Sequence, residues 1–157
     1  MTLATRQMLA LAGFVGVCFF AAFLGARATM DAVATWYPTL VKPNWNPPTW
    51  LFGPAWTLLY LLMAVAAWLV WRQAGWNVAL LVFGVQLALN VAWSFCFFAQ
   101  RSPLAGLVDI LLLWAAIAVT LVLFWRVDRV AGWLFVPYLG WVTFATALNF
   151  SIWRLNR

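Results

Sequence analysis

Histidine and glutamate are both absent, and three aspartates, Asp31, Asp109 and Asp128, carry all the side-chain negative charge. Lacking histidine, the chain has neither the commonest metal and haem ligand nor the commonest general base. Histidine-ligated haem iron is excluded, and no metal site or required cofactor is expected. Charge of either sign is scarce. Charged residues make up 8% against 68% hydrophobic, with a mean hydropathy of +0.97. A soluble domain of 157 residues cannot hide that much apolar surface. The bilayer is the solvent, and the chain is an integral, multi-pass membrane protein. The net charge of +6 comes without a basic cluster, which excludes a nucleic-acid partner and leaves the cations as headgroup anchors. The two cysteines, Cys18 and Cys96, lie in apolar runs and act as small hydrophobes. Nothing in the sequence supports a disulfide between them.

Five apolar runs are present, at about 7–25, 51–71, 77–98, 104–125 and 131–153. Each is near the roughly 20 residues that cross a bilayer as a helix. They lack the alternation of a barrel strand, so they are helices. The predicted fold is an all-α membrane protein, a single five-transmembrane-helix domain over 1–157. The last three connections are short, so consecutive helices are expected to be antiparallel neighbours. Arg6 ahead of the first run and Ala26-Arg27-Ala28 after it also fit a signal peptide, but the run exceeds the usual roughly 7–15 apolar residues. Charge orients the bundle poorly. Four cations on the N-terminal side face five on the other, a margin too small for the positive-inside rule to decide, leaning towards a cytosolic C-terminus.

The remaining long connection, 27–50, holds four of the seven prolines, with Trp36, Tyr37, Trp45 and Trp50 between them. Linkers are rich in Ser, Gly and charge; a segment this dense in rings and fixed φ angles is expected to fold as a lid over the bundle.

Candidate functional residues come from helix faces. Gln86, Asn90, Trp93 and Phe97 share one face of the third helix. Amides at mid-membrane need partners, so this face points inward, either to hold helices together or to meet a ligand. Tyr138, Trp141, Ala145, Leu148 and Ile152 form a stripe on the fifth helix, with Asn149 beside it and Pro137 placed to bend it. The second helix offers Trp56, Leu59, Tyr60 and Met63. An aromatic cavity with few polar groups suits a large, flat, apolar molecule, although ordinary helix packing explains any one of these residues alone. Asp109, as a membrane carboxylate, is a functional candidate, but the simpler expectation places it near a helix N-terminus, meeting Arg101 or a loop donor. Gly84-x-x-x-Ala88 and Ala21-x-x-x-Gly25 permit close helix approach, within the bundle or in a homodimer. Trp71, Trp76, Trp125, Trp133 and Trp153 fit interfacial belts.

The motifs Trp36-Tyr37, Lys42-Pro43-Asn44-Trp45-Asn46-Pro47-Pro48, Ala55 to Tyr60, Gln86 to Ser94 and Val136 to Trp141 occur in order across the chain. Together they resemble the tryptophan-rich sensory protein/translocator protein family, also called the peripheral-type benzodiazepine receptor family. The resemblance implies a five-helix bundle, usually a homodimer, whose first loop covers a ligand cavity. It implies binding of porphyrins such as protoporphyrin IX, and of sterols in some members. By motif position, Trp56, Asn90, Trp93, Trp141 and Ala145 correspond to cavity residues, with Tyr37, Pro43 and Trp45 in the lid; Tyr60 and Gln86 join them from the helix faces. Some bacterial members promote light-dependent porphyrin breakdown, for which the matching tryptophans are Trp56 and Trp141. The family's sterol motif is incomplete: after Val136 and Tyr138 the next basic residue is Arg154, too far along. A bacterial member fits this better than an animal one. The expected function is a membrane receptor or sensor for a tetrapyrrole. The alternatives are a photo-oxidative porphyrin-degrading enzyme, a transporter of tetrapyrroles or sterols, and a structural partner protein with an incidental cavity. No inverted repeat or intramembrane charge pair favours transport.

Overall fold

The computed structural model describes residues 2–157, and five helices long and apolar enough to span a membrane make up most of it. Helix α1 covers Leu3–Thr35, α2 Phe52–Ala74, α3 Val78–Ser94, α4 Pro103–Val127 and α5 Arg129–Leu155. Helix α3 ends in a π-helical turn, Phe95–Ala99. Short 3-10 turns, Tyr37–Thr39 and Thr49–Leu51, begin and end the lid.

Local chemistry sets these limits. Asn77 Oδ1 accepts from the amides of Ala79 and Leu80, and Asp128 Oδ1 from those of Val130 and Ala131. Ser102 Oγ caps α4, with Pro103 in the first turn where its missing N–H costs nothing. Gly75 ends α2 at φ +62, a conformation glycine adopts without a Cβ penalty. Helix α1 is longer than its apolar run. It continues through Ala26-Arg27-Ala28 without a break, and Asp31 on its last turns pairs with Arg101 at 3.2 Å. The lid is correspondingly shorter than 27–50. Helix α5 stays continuous through Pro137, whose ring sits on the exposed face.

The helices pack around a ring in the order α1, α2, α5, α4, α3. The expectation that consecutive helices are neighbours holds for α3–α4 and α4–α5. It needs correction at α2 and α3, which face each other mainly across the interior. A short connection fixes antiparallel direction but not adjacency, and the intervening helices fill the gap. Close approaches are made at glycine. A Cβ on Gly106 would lie 2.8 Å from Phe97 Cβ, and one on Gly132 would lie 2.9 Å from Trp125 Cα. Gly25 meets Ser94 Oγ, so the Ala21/Gly25 pair serves internal packing. Gly84 and Ala88 face outward.

The two ends of the bundle differ. Toward the N-terminal side, Phe83, Phe124 and Phe135 interlock, with Phe124 and Phe135 centroids 5.0 Å apart. All three are buried, and they fill the core. Toward the lid the interior is hollow.

Candidate functional site

The boundary between the filled and hollow halves is polar. Tyr60 donates to Asn90 Oδ1 at 2.5 Å, and Asn90 Nδ2 donates to the Tyr138 hydroxyl at 2.7 Å. The Tyr138 hydroxyl donates to Gln86 Oε1 at 2.9 Å, and Gln86 Nε2 reaches Met63 Sδ at 3.7 Å. These groups come from α2, α3 and α5 and are all buried. Each amide is anchored inside hydrocarbon, which a membrane core requires of polar groups. Asn90 keeps one N–H and one lone pair beyond these bonds.

Above this floor lies a cavity of about 370 Å³, within the roughly 300–1,000 Å³ typical of ligand sites. Trp56 and Tyr60 line it from α2, Asn90, Trp93 and Ser94 from α3, and Phe97 and Phe98 from the π-helical turn. Ala145, Leu148, Asn149 and Ile152 line it from α5. Trp93 stacks on Phe97 with centroids 5.5 Å apart and donates from Nε1 to Asn149 Oδ1 at 3.1 Å. Asn149 Nδ2 in turn donates to the Pro103 carbonyl. The wall between α1 and α2, made by Phe19, Ala26, Gly53 and Thr57, is exposed on its outer side.

Tyr37 forms the roof. It is buried against Phe97 and Phe98, and its hydroxyl donates to Asn46 Oδ1 at 2.8 Å. Lys42 Nζ donates to the carbonyls of Tyr37 and Leu40 and lies 4.9 Å from the Tyr37 ring centroid. Asn156, past the end of α5, clasps Val41 by accepting from its N–H and donating to its carbonyl, each at 2.9 Å. The lid is therefore tied to itself and to the C-terminus. Burial raises the Tyr37 hydroxyl pKa above the ordinary 10.0, and the Asn46 hydrogen bond partly offsets this.

Of the residues singled out in the sequence, Tyr37, Trp56, Tyr60, Asn90, Trp93 and Ala145 meet at this cavity. Trp141 stands behind Trp56, rings at 84° and centroids 6.5 Å apart, and its buried Nε1 has no partner among the described residues. Gln86 lies below the floor, engaged by Tyr138. Pro43 is in the lid, and Trp45 packs edge-on to Phe144 at 5.7 Å on the flank of α5. Phe97, on the Gln86 face of the third helix, lines the cavity as well, and Asn149, expected beside the stripe of its own helix, joins it there. Asp109 requires correction. Arg101 pairs with Asp31 instead, and Asp109 is buried on α4 with Oδ2 lacking a partner among the described residues. It lies more than one turn past Pro103, too deep for Arg101 or the loop to satisfy.

A model of the TspO/MBR family matches residues 14–154. The chain belongs to that family. Among TspO/MBR relatives it is 48% identical over 155 residues to the tryptophan-rich protein TspO of Chlorobaculum tepidum, covering 96% of this chain and 98% of that one. It is 44% identical to a tryptophan-rich sensory protein of Cereibacter sphaeroides, covering 87% and 89%. It is 40% identical to the human translocator protein, covering 92% and 88%. The TspO/MBR motifs quoted from the sequence fall on the lid, the cavity walls and the polar floor.

Proposed function

We propose that this TspO/MBR protein is a membrane receptor for a flat, largely apolar tetrapyrrole of the protoporphyrin IX type, bound in the cavity under the lid. The observation that carries this reading is the composition of the walls. Trp56, Tyr60, Trp93 and Phe97 offer ring faces and edges, Ala145 leaves space opposite them, and Asn90 supplies a hydrogen-bonding group at the floor. No basic residue lines the cavity, so its walls suit the apolar macrocycle of a porphyrin rather than its carboxylate edge. Recognition through macrocycle faces needs no axial ligand, in keeping with a chain that has no histidine.

A second reading is favoured by one contact. Trp56 lies at the cavity with Trp141 directly behind it, an arrangement suited to photo-oxidative breakdown of a bound porphyrin, with light and dioxygen as co-reactants. Titrating purified protein with protoporphyrin IX in the dark, then illuminating it, separates the two. Saturable tryptophan quenching without a protein-specific photoproduct supports the receptor. A photoproduct lost in Trp56→Phe with binding retained supports the enzyme. Absence of saturable quenching overturns both.

A further inference from the structure

On the face opposite the lid, a separate niche of about 320 Å³ lies between the start of α1 and the end of α2. Its walls are Leu3, Arg6, Gln7, Trp71, Arg72 and Trp76, with Gly75 at the turn. The geometry points to a binding site for the phosphate of an anionic phospholipid headgroup, independent of the tetrapyrrole cavity.

The charge is uncompensated. Neither Arg6 nor Arg72 forms an ion pair among the described residues; the one ion pair, Arg101–Asp31, is at the other end of the bundle. Asp128, the acidic residue on this side, caps α5 and accepts from Gln73. The carboxyl end of α2 adds about half a negative charge, which two guanidiniums outweigh.

The guanidiniums are also held in place. Arg6 lies over the Trp71 ring at 5.7 Å and Arg72 over Trp68 at 4.7 Å. Stacking fixes the plane of a guanidinium while leaving its N–H edge free for paired bonds to phosphate oxygens. The framework beneath is tied. Trp68 Nε1 donates to the Gln7 carbonyl at 3.1 Å, and Phe14 packs against both Trp71 and Trp76.

Depth and flanks favour a lipid over a free anion. The niche sits at the ends of membrane-spanning helices, among tryptophans at the headgroup level. Leu3 and Trp76, 75% and 79% exposed, border it and present apolar surface to acyl chains beside the charged centre.

The test uses the full-length protein in nanodiscs of phosphatidylcholine with increasing phosphatidylglycerol, reading bound lipid by native mass spectrometry. Wild type is compared with Arg6→Gln/Arg72→Gln and with Arg154→Gln/Arg157→Gln at the opposite end. Both pairs are exposed, so folding is retained, and circular dichroism verifies it. Saturable phosphatidylglycerol retention, about 30-fold weaker in the first variant and unchanged in the second, is expected from losing two interfacial cations. Equal retention in wild type and Arg6→Gln/Arg72→Gln overturns the site. Equally effective competition by glycerol 3-phosphate or inorganic phosphate overturns the lipid assignment in favour of a soluble phosphate.

Discussion

The Tyr138 hydroxyl of α5 donates to Gln86 Oε1 of α3 at 2.9 Å, joining two helices that are not adjacent in the ring through a point where both side chains are fully buried. Tyr138 also accepts from Asn90, so one hydroxyl closes the floor of the cavity. Tyr138→Phe leaves Gln86 Oε1 and Asn90 Nδ2 each short of a partner inside hydrocarbon. We expect a loss of about 1–3 kcal/mol, measured by equilibrium unfolding in mixed micelles. Adding Gln86→Leu removes one orphaned group, so the double variant should lose less than the two single variants summed.

Glycine contacts give a matched pair. A Cβ on Gly106 meets Phe97 at 2.8 Å and Asn149 Oδ1 at 3.0 Å, whereas one on Gly84 meets nothing within 4 Å. Gly106→Ala should destabilise by about 1–3 kcal/mol through overpacking. Gly84→Ala should be neutral or stabilising by up to about 1 kcal/mol from helix propensity. Melting of the two variants in the same detergent checks both.

Asn156 clasps the lid to the C-terminus. Asn156→Ala removes both hydrogen bonds to Val41. The Val41 amide should exchange its hydrogen about tenfold faster or more, while amides in the middle of α4 stay unchanged.

The roof should also respond to pH, with a definite sign. Burial raises the Tyr37 pKa in the folded state, so folding favours the neutral phenol. The stability this contributes is fully present below the ordinary tyrosine value of 10.0 and is lost as pH rises through the higher folded value. Lid protection measured at Val41 should be constant from pH 6 to pH 9 after correction for intrinsic exchange. Tyr37→Phe should abolish the alkaline loss.

The five spans were legible because apolar length alone decides them. The upper end of α1 was not, because Arg27 and Asp31 interrupt the apolar signal while neither breaks a helix. Gln86 and Asn90 were legible as inward-facing because a mid-membrane amide must find partners. That Gln86 lies below the floor and Asn90 at it depends on where the Tyr138 hydroxyl falls, which spacing on one helix cannot give. Trp141 and Ala145 share a stripe, yet Ala145 reaches the cavity and Trp141 is screened by Trp56. The ring order decides that, and short connections fix direction without fixing neighbours. Phe97 was legible on the inward face by its spacing, but the π-helical turn that carries it has no separate signal in the sequence.

The most direct test of the cavity as the tetrapyrrole site is to fill it from a wall residue. Ala145 faces the open space, so Ala145→Phe adds a ring there. Protoporphyrin IX is titrated in the dark against wild type and Ala145→Phe, with melting temperature as the control for folding. Saturable binding to wild type is expected, weakened about tenfold or more in a variant that melts within a few degrees of it. Equal affinity in two folded proteins would contradict it and place any porphyrin elsewhere on the molecule.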